Sequence, residues 1–427
     1  VAVPVVVEFA ATDAGVWRAI TCQVFGAGWN RGASEDRGVI AVPEAGEASI
    51  YLYDPQRDLD PANPGGAYTG QIDVGVPIRV SLAGQVAFIG RVQEIRHDLE
   101  PADDPSLAPR PVCRISAVDG AAKMAAVDTP TTFPQETAGA RVTRLLDLAG
   151  VATGSGQRDI EAGGVVLQAG ALVNSAWSDS LAAVQNELGS VDFRPDGKVV
   201  FRTRTSTWTP GAPALQLGCQ VGGIPLGGIQ LVTVRDTIRN QVNAARAGGT
   251  AVTETDTDPA RLAKYGLRTV SRMDLRLLTD PDVDAWAKFL LARTKLPSRG
   301  YEQAVVYADA AAVAAVEAVP LFTGRVHLVV DGFGATLDTV VRLLGVSWDV
   351  DADGNATASL VLGTDTGVQP VSYQAMLDLQ AQWVAYLGAA SGGPAWAPWV
   401  VEGDTLRAAS GAAGGMDAVS IAWQASG

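Results

Sequence analysis

The chain has 427 residues, 47% of them hydrophobic and 18% charged, and a formal net charge of −14. That length supplies material for several buried cores, and that composition excludes a disordered chain. The acidic balance excludes gripping nucleic acid from outside, which needs clustered Lys and Arg to neutralise phosphates, so no sequence-specific nucleic acid binding is expected.

The start, VAVPVVVEF, lacks the basic region of a signal peptide and reads as a first strand. Ala48–Tyr53 is a predicted strand with Ile50 and Leu52 on one face and Ser49, Tyr51 and Tyr53 on the other. A turn-dense segment follows, with Asp54-Pro55, Asp60-Pro61 and Asn63-Pro64-Gly65-Gly66, where each X-Pro step disfavours helix. Strands are predicted at Val76–Leu82, Val86–Ile89, Arg91–Arg96 and Val112–Val118, with a tight turn at Ala83-Gly84. Residues 1–125 thus read as a barrel or sandwich of short strands.

Residues 126–222 change character. Val142, Leu145 and Leu146 form a helical stripe within 137–150, with Gly150 placed to end it. Leu181, Val184 and Leu188 form a second stripe, and Val191–Arg194, Pro195-Asp196-Gly197 and Lys198–Arg204 predict a hairpin. Gly222–Gly228 reads as a linker. Leu231–Ala247 alternates apolar and polar residues, and 223–249 is assigned to a second large β domain with 320–366. In the intervening 250–319, a helix is predicted with Asp280 as cap, Pro281 in its first turn and Val283, Trp286 and Leu290 buried. Another is predicted over Ala308–Val319, capped by Asp309 and stopped by Pro320.

Strands at Arg325–Val330, Thr339–Leu344, Gly345–Val350 and Ala356–Leu362, with turns at Asp331-Gly332 and Asp351–Asn355, repeat the order of Val76–Val118. In 367–427, Ser372–Leu387 is a helix candidate carrying Tyr373, Trp383 and Leu387 on one side. Gly, Ala, Pro and Trp dominate thereafter. The run Ala304–Phe322 is interrupted by Asp309, Glu317 and Pro320, so no membrane segment is expected.

Reactive chemistry is sparse. His97 and His327 are far apart, each within a strand pattern and without a local partner to make it a catalytic base. Cys22, Cys113 and Cys219 form no C-x-x-C pair, so neither a zinc site nor a disulfide framework is expected, and no cofactor or metal is assigned. Asp349–Asn355 resembles the opening of a calcium loop, but Leu360 stands where its bidentate Glu belongs, and a hairpin turn is the better reading. The carboxylates Asp98, Glu100, Asp103 and Asp104 read as solvated loop charge. Tyr373, Trp383, Trp396, Trp399 and Trp423 read as a partner-binding set, for protein or glycan.

Trp29, Arg31, Asp54, Pro55, Asp60, Pro61, Tyr68, Gly70, Gly75, Pro77, Arg79, Phe88, Gly90, Arg91 and Val92 fall in an order that resembles the N-terminal barrel of actinobacterial siphophage minor tail proteins. That family is related to the hub proteins of phage baseplates. Asp236, Ile238, Asn240 and Val242, then Tyr265, Gly266 and Arg268, extend the resemblance. It implies a mainly β fold of two β-barrel hub domains with α+β insertions, ending in an interaction arm. It implies a homotrimer in the virion tail tip, assembled in the host cytoplasm. Its partners would be distal tail ring, tail tube, tape-measure and other minor tail proteins, and it would have no catalytic residue. The alternatives carried beside it are a cell-envelope hydrolase and a receptor- or glycan-binding tail protein.

Overall fold

The computed structural model describes residues 2–12, 15–33, 43–100, 109–154, 156–172, 175–234, 238–296, 298–331, 336–364, 399–402, 405–408 and 421–422. The chain divides into two compact units, Val1–Gly367 and Val368–Gly427. The fold is mainly β, dominated by a 13-stranded, largely antiparallel sheet in the first unit.

Its first half comprises β1 (Val5–Phe9), β2 (Arg18–Ala19), β3 (Gln23–Gly32), β4 (Glu47–Tyr53), β5 (Pro77–Leu82), β6 (Gln85–Glu100) and β7 (Arg110–Val118). Alternation works as expected: Ala48, Ile50 and Leu52 of β4 face inward, as do Cys113, Ile115 and Ala117 of β7. An inserted segment follows, with α1 (Gly120–Ala125), β8 (Thr132–Phe133), β9 (Glu136–Thr137), α2 (Ala138–Ala149), β10 (Arg158–Ile160), β11 (Val166–Leu167) and β12 (Gly170–Ala171). It continues through α3 (Ala176–Glu187), β13 (Ser190–Phe193), β14 (Val199–Arg202) and α4 (Arg204–Trp208). Thr137 caps α2 and Gly150 ends it at φ 59°, while Ser175 and Ser178 form a capping box on α3.

The second half begins with β15 (Leu215–Gly218) and β16 (Leu226–Val234). A second insertion holds β17 (Gln241–Arg246), β18 (Val252–Thr255), α5 (Pro259–Tyr265), β19 (Thr269–Leu275) and α6 (Asp280–Thr294). The large sheet resumes with β20 (Ser298–Tyr307), then α7 (Ala310–Ala318), β21 (Arg325–Val330), β22 (Leu337–Val350) and β23 (Ala356–Thr364).

Both halves follow one path. The hydrogen-bonded order β1–β5–β6–β7–β4–β3 in the first matches β15–β21–β22–β23–β20–β16 in the second, position for position along the chain, with one difference of direction: β1 is antiparallel to β5, whereas β15 is parallel to β21. The bulges match as well. The register slips after Val92 in β6–β7 and after Leu343 in β22–β23, and after Val24 in β3–β4 and Leu226 in β16–β20. Both halves also return to their first strand, though in opposite senses: β2, just ahead of β3, pairs antiparallel with β1, while Ile224, just ahead of β16, makes a parallel bridge to Leu217 of β15.

Several sequence expectations shift. β6 and β22 are each one long strand where a break was expected at Gly90 and Gly345. These glycines permit close approach: a Cβ on Gly90 would lie 2.4 Å from Val118 O, and one on Gly345 2.0 Å from Ala33 O. Gly227 and Gly228 lie inside β16 and not in a linker. Residues 241–246, assigned to the second large β domain, pair instead in the small sheet β18–β17–β19. β20 and α7, assigned to the insertion, belong with the large sheet and its core. Thr279, not Asp280, caps α6. The two insertions share one hydrophobic cluster, with Leu145, Leu146, Phe201 and Val242 beside Val283, Trp286 and Leu290.

The second unit contains β24 (Trp399–Glu402), β25 (Thr405–Ala408) and β26 (Ile421–Ala422), paired antiparallel in that order. The sequence pattern predicts only a helix in this segment; the β-branched pair Val400-Val401 is the local signal for β24. Its expected helix 372–387 lies outside the described residues, as do Tyr373, Trp383, Trp396 and Trp423. Trp399 is placed in β24 by its backbone alone.

Candidate functional site at the junction of the two halves

The halves join where β3 pairs antiparallel with β22, bringing Trp29 opposite Trp348, Arg31 opposite Val346 and Gly32 opposite Gly345. Gly32 sits at φ 86°, and a Cβ there would lie 2.3 Å from Leu344 O, so only glycine fits. The Trp-Asn-Arg-Gly motif is therefore a joint between repeats.

A buried ionic network backs this joint. Arg31 Nη2 donates to Glu317 Oε2 at 2.9 Å, with both side chains 5% exposed. Trp348 Nε1 donates to the other oxygen at 2.7 Å. α7 delivers Glu317 because Asp309 caps the helix, accepting from Ala312 N at 2.7 Å. Asp192, from the β13 strand of the first insertion, accepts from Leu321 N and feels the Arg31 charge. Burial raises the pKa of Glu317 and of Asp192, against the opposing pull of Arg31 on each. Asp119 caps α1 and also accepts from Gly46 N at 2.7 Å; burial pushes its carboxyl up to about 7. These contacts tie first half, second half and insertion together, and carry no nucleophile–base pair.

The other singled-out residues hold turns and close contacts. Asp54 accepts from the N–H groups of Asp58 and Leu59 at 2.8 and 3.0 Å, and so folds the Asp54-Pro55 turn. Tyr68 OH accepts from Thr21 N at 2.7 Å. Gly75 turns at φ 87° and its carbonyl accepts from Arg91 Nη1 at 2.6 Å, beside the Pro77–Arg91 pair. Buried Asn240 donates to Gly266 O at 2.7 Å and accepts from Arg268 N at 2.7 Å, so two distant motif fragments meet and Tyr265-Gly266 becomes the turn after α5. Asp351 accepts from the N–H groups of Asp353 and Asn355, which is the expected hairpin turn. Asp236, Asp103 and Asp104 lie outside the described residues.

One cluster was not visible to spacing rules. Asp54, His97 and Cys113 each present a potential metal-ligand atom, all within 4.8 Å of one another. Asp54 lies just past β4, His97 on β6 and Cys113 on β7, so their chain separations resemble no metal motif. A cleft of about 120 Å³ lies between β5–β6 and the first insertion, lined by Trp17, Arg91, Asp119, Lys123 and Phe193. It is smaller than a typical small-molecule site. No helix of the described residues is long and apolar enough to cross a membrane.

The fold is that of phage tail proteins. The tail protein from Neisseria meningitidis superposes with a TM-score of 0.55 at 13% identity, covering 86% of this chain and 97% of its own. The 43 kDa tail protein of prophage MuSo2 from Shewanella oneidensis superposes with a TM-score of 0.54 at 14% identity, covering 85% and 97%. No protein-family model matches the chain, and no curated protein matches its sequence.

Proposed function

We propose that this chain is a structural hub protein of a phage tail tip, in which three copies, each with two β-barrel repeats, form a ring around the DNA channel. The repeated strand path, with one edge filled and its counterpart open, carries this reading. Gly345–Val350 of β22 is covered by β3. The corresponding stretch of β6 lies beyond Arg91, where pairing with β5 ends, and no strand covers that edge among the described residues. Val350 is 3% exposed, whereas its counterpart Leu99 is 73% exposed. β16, the counterpart of β3, is the matching strand, and within one chain it covers no such edge. Pairing β16 of one copy with β6 of the next would repeat the internal joint and close a ring by rotation.

Three copies supply six similar repeats, which suits a six-fold tail tube above, while the two unlike insertions leave three-fold symmetry below. The tube, distal ring, tape-measure and other minor tail proteins are the partners this position implies. The chain contributes assembly and channel gating, with no catalytic step. The segment 367–427 serves as an interaction arm. A reconstruction of the tail tip tests this, with two barrel types alternating around the lumen as the expected result. Six identical copies, or one copy on the axis, would sink the reading, and so would degradation of host cell envelope by the purified protein.

A further inference from the structure

Beside β4, β6 and β7 the first half holds a polar cluster where the fold does not require one. β6 and β7 place His97 directly opposite Cys113. Asp54 follows β4 on the neighbouring strand, its N–H bonded to Pro111 O. In the second half the matching pair is Trp348 opposite Ala358, and Ala308, bonded to Ala356 O in the same way, replaces Asp54. Cys22, just ahead of β3, has Ile224 as its counterpart. One repeat therefore fills these places with Ile, Ala, Trp and Ala, and the other with Cys, Asp, His and Cys.

The three ligand atoms lie close enough together to share one small ion, all within 4.8 Å of one another. His97 Nε2 lies 3.1 Å from Asp54 Oδ2, close to the roughly 3.3 Å that separates N and O ligands bound at about 2.0–2.1 Å. The N–H groups of Asp58 and Leu59 already hold the Asp54 carboxylate in place, as outer partners of a ligand do. Cys22 precedes Gln23, the register partner of Tyr53, and so stands across from Asp54, with its thiol outside the 4.8 Å group that the other three form. A mixed S, N and O set of this kind suits zinc.

We propose that Asp54, His97 and Cys113 bind one zinc ion, with Cys22 as fourth ligand, clamping the start of the 54–76 turn segment to β6 and β7. Binding forms the Zn–S bonds and releases the two thiol protons to solvent; no redox step is involved. The proposal is independent of the hub reading, since it concerns one chain alone.

The test uses full-length protein stripped with a chelator and then titrated with zinc, and with Co²⁺ as a spectroscopic probe. One zinc per chain is expected, with a thiolate-to-cobalt absorption band and a zinc-dependent rise in the unfolding midpoint. His97→Gln, a change at a half-buried position, should fold normally and bind zinc at least tenfold more weakly. Cys113→Ala should lose the cobalt band. Wild-type protein that takes up no zinc, or His97→Gln protein that binds as tightly as wild type, overturns the proposal; should Cys113→Ala fail to fold, His97→Gln decides.

Discussion

Where β6 and β7 of the first half set His97 against Cys113, β22 and β23 of the second set Trp348 against Ala358, at the same distance past matching bulges. The backbone path is common to both, and the side chains that use it are not. In the second half Trp348 reaches the α7 carboxylate and locks the joint to β3. In the first, the 54–76 turn segment takes the place of α7 in chain order, and Asp54 reaches His97. The difference teaches that strand order, bulges and close-approach glycines set this fold. The side chains placed on it are left free to serve a joint in one repeat and the proposed ligand set in the other.

The comparison breaks most severely at the joint. Glu317→Ala removes one partner of a buried pair and strands both Arg31 and the Trp348 N–H. It should cost about 3–5 kcal/mol in urea denaturation, whereas Glu317→Gln, which keeps an acceptor for Trp348, should cost less. A cost under about 1 kcal/mol for the alanine variant would show that the joint does not depend on this network.

Acidity comes next. The Asp119 carboxyl is raised from 3.8 to about 7 in the folded chain. A raised carboxylate means the unfolded chain ionises first, so stability is greatest below about pH 4 for this group and falls as pH rises to about 7. That loss is at most about 4 kcal/mol, and the raised Asp192 and Glu317 act in the same direction. Asp119→Asn should flatten the slope of unfolding free energy between pH 5 and 7; an unchanged slope would place the dependence elsewhere.

Gly345→Ala should then cost about 1–3 kcal/mol, because the new Cβ meets Ala33 O at 2.0 Å and must push β22 from its neighbour. Full stability in the variant would contradict the close-approach role. Smallest of all, Cys113→Ala gives the first half the residue that the second half already carries. In metal-free protein it should cost only about 1 kcal/mol, measured by the same denaturation.

Local elements were largely legible in the sequence. The α2 and α6 stripes, Gly150 as a stop and Asp309 as a cap depend on neighbours a few residues away. The repeat of strand order near 76–118 and 325–362 was legible too, because turn residues punctuate both copies. What depended on distant partners was not. Gly90 and Gly345 look like breaks until the carbonyls opposite them are known. β17 alternates like a strand of the large sheet, and only pairing with β18 and β19 removes it from there. The Asp54, His97 and Cys113 cluster arises from cross-strand register, which chain spacing does not encode. Arg31 was singled out as a motif residue, but nothing local points to Glu317, its partner 286 residues away.

The open edge of β6 is the counterpart of the filled edge of β22, and in the proposed ring β16 of another copy fills it. The most direct measurement places cysteines at Leu99 and Ile229, which correspond to the opposed Val350 and Ala27 of the internal joint, with exposed Cys219 changed to Ser. Mild oxidation of intact tails should then give a disulfide-linked ladder that stops at three chains, and neither single-cysteine control should give it. Free thiols at both positions in intact tails, or a ladder running past three chains, would contradict the account.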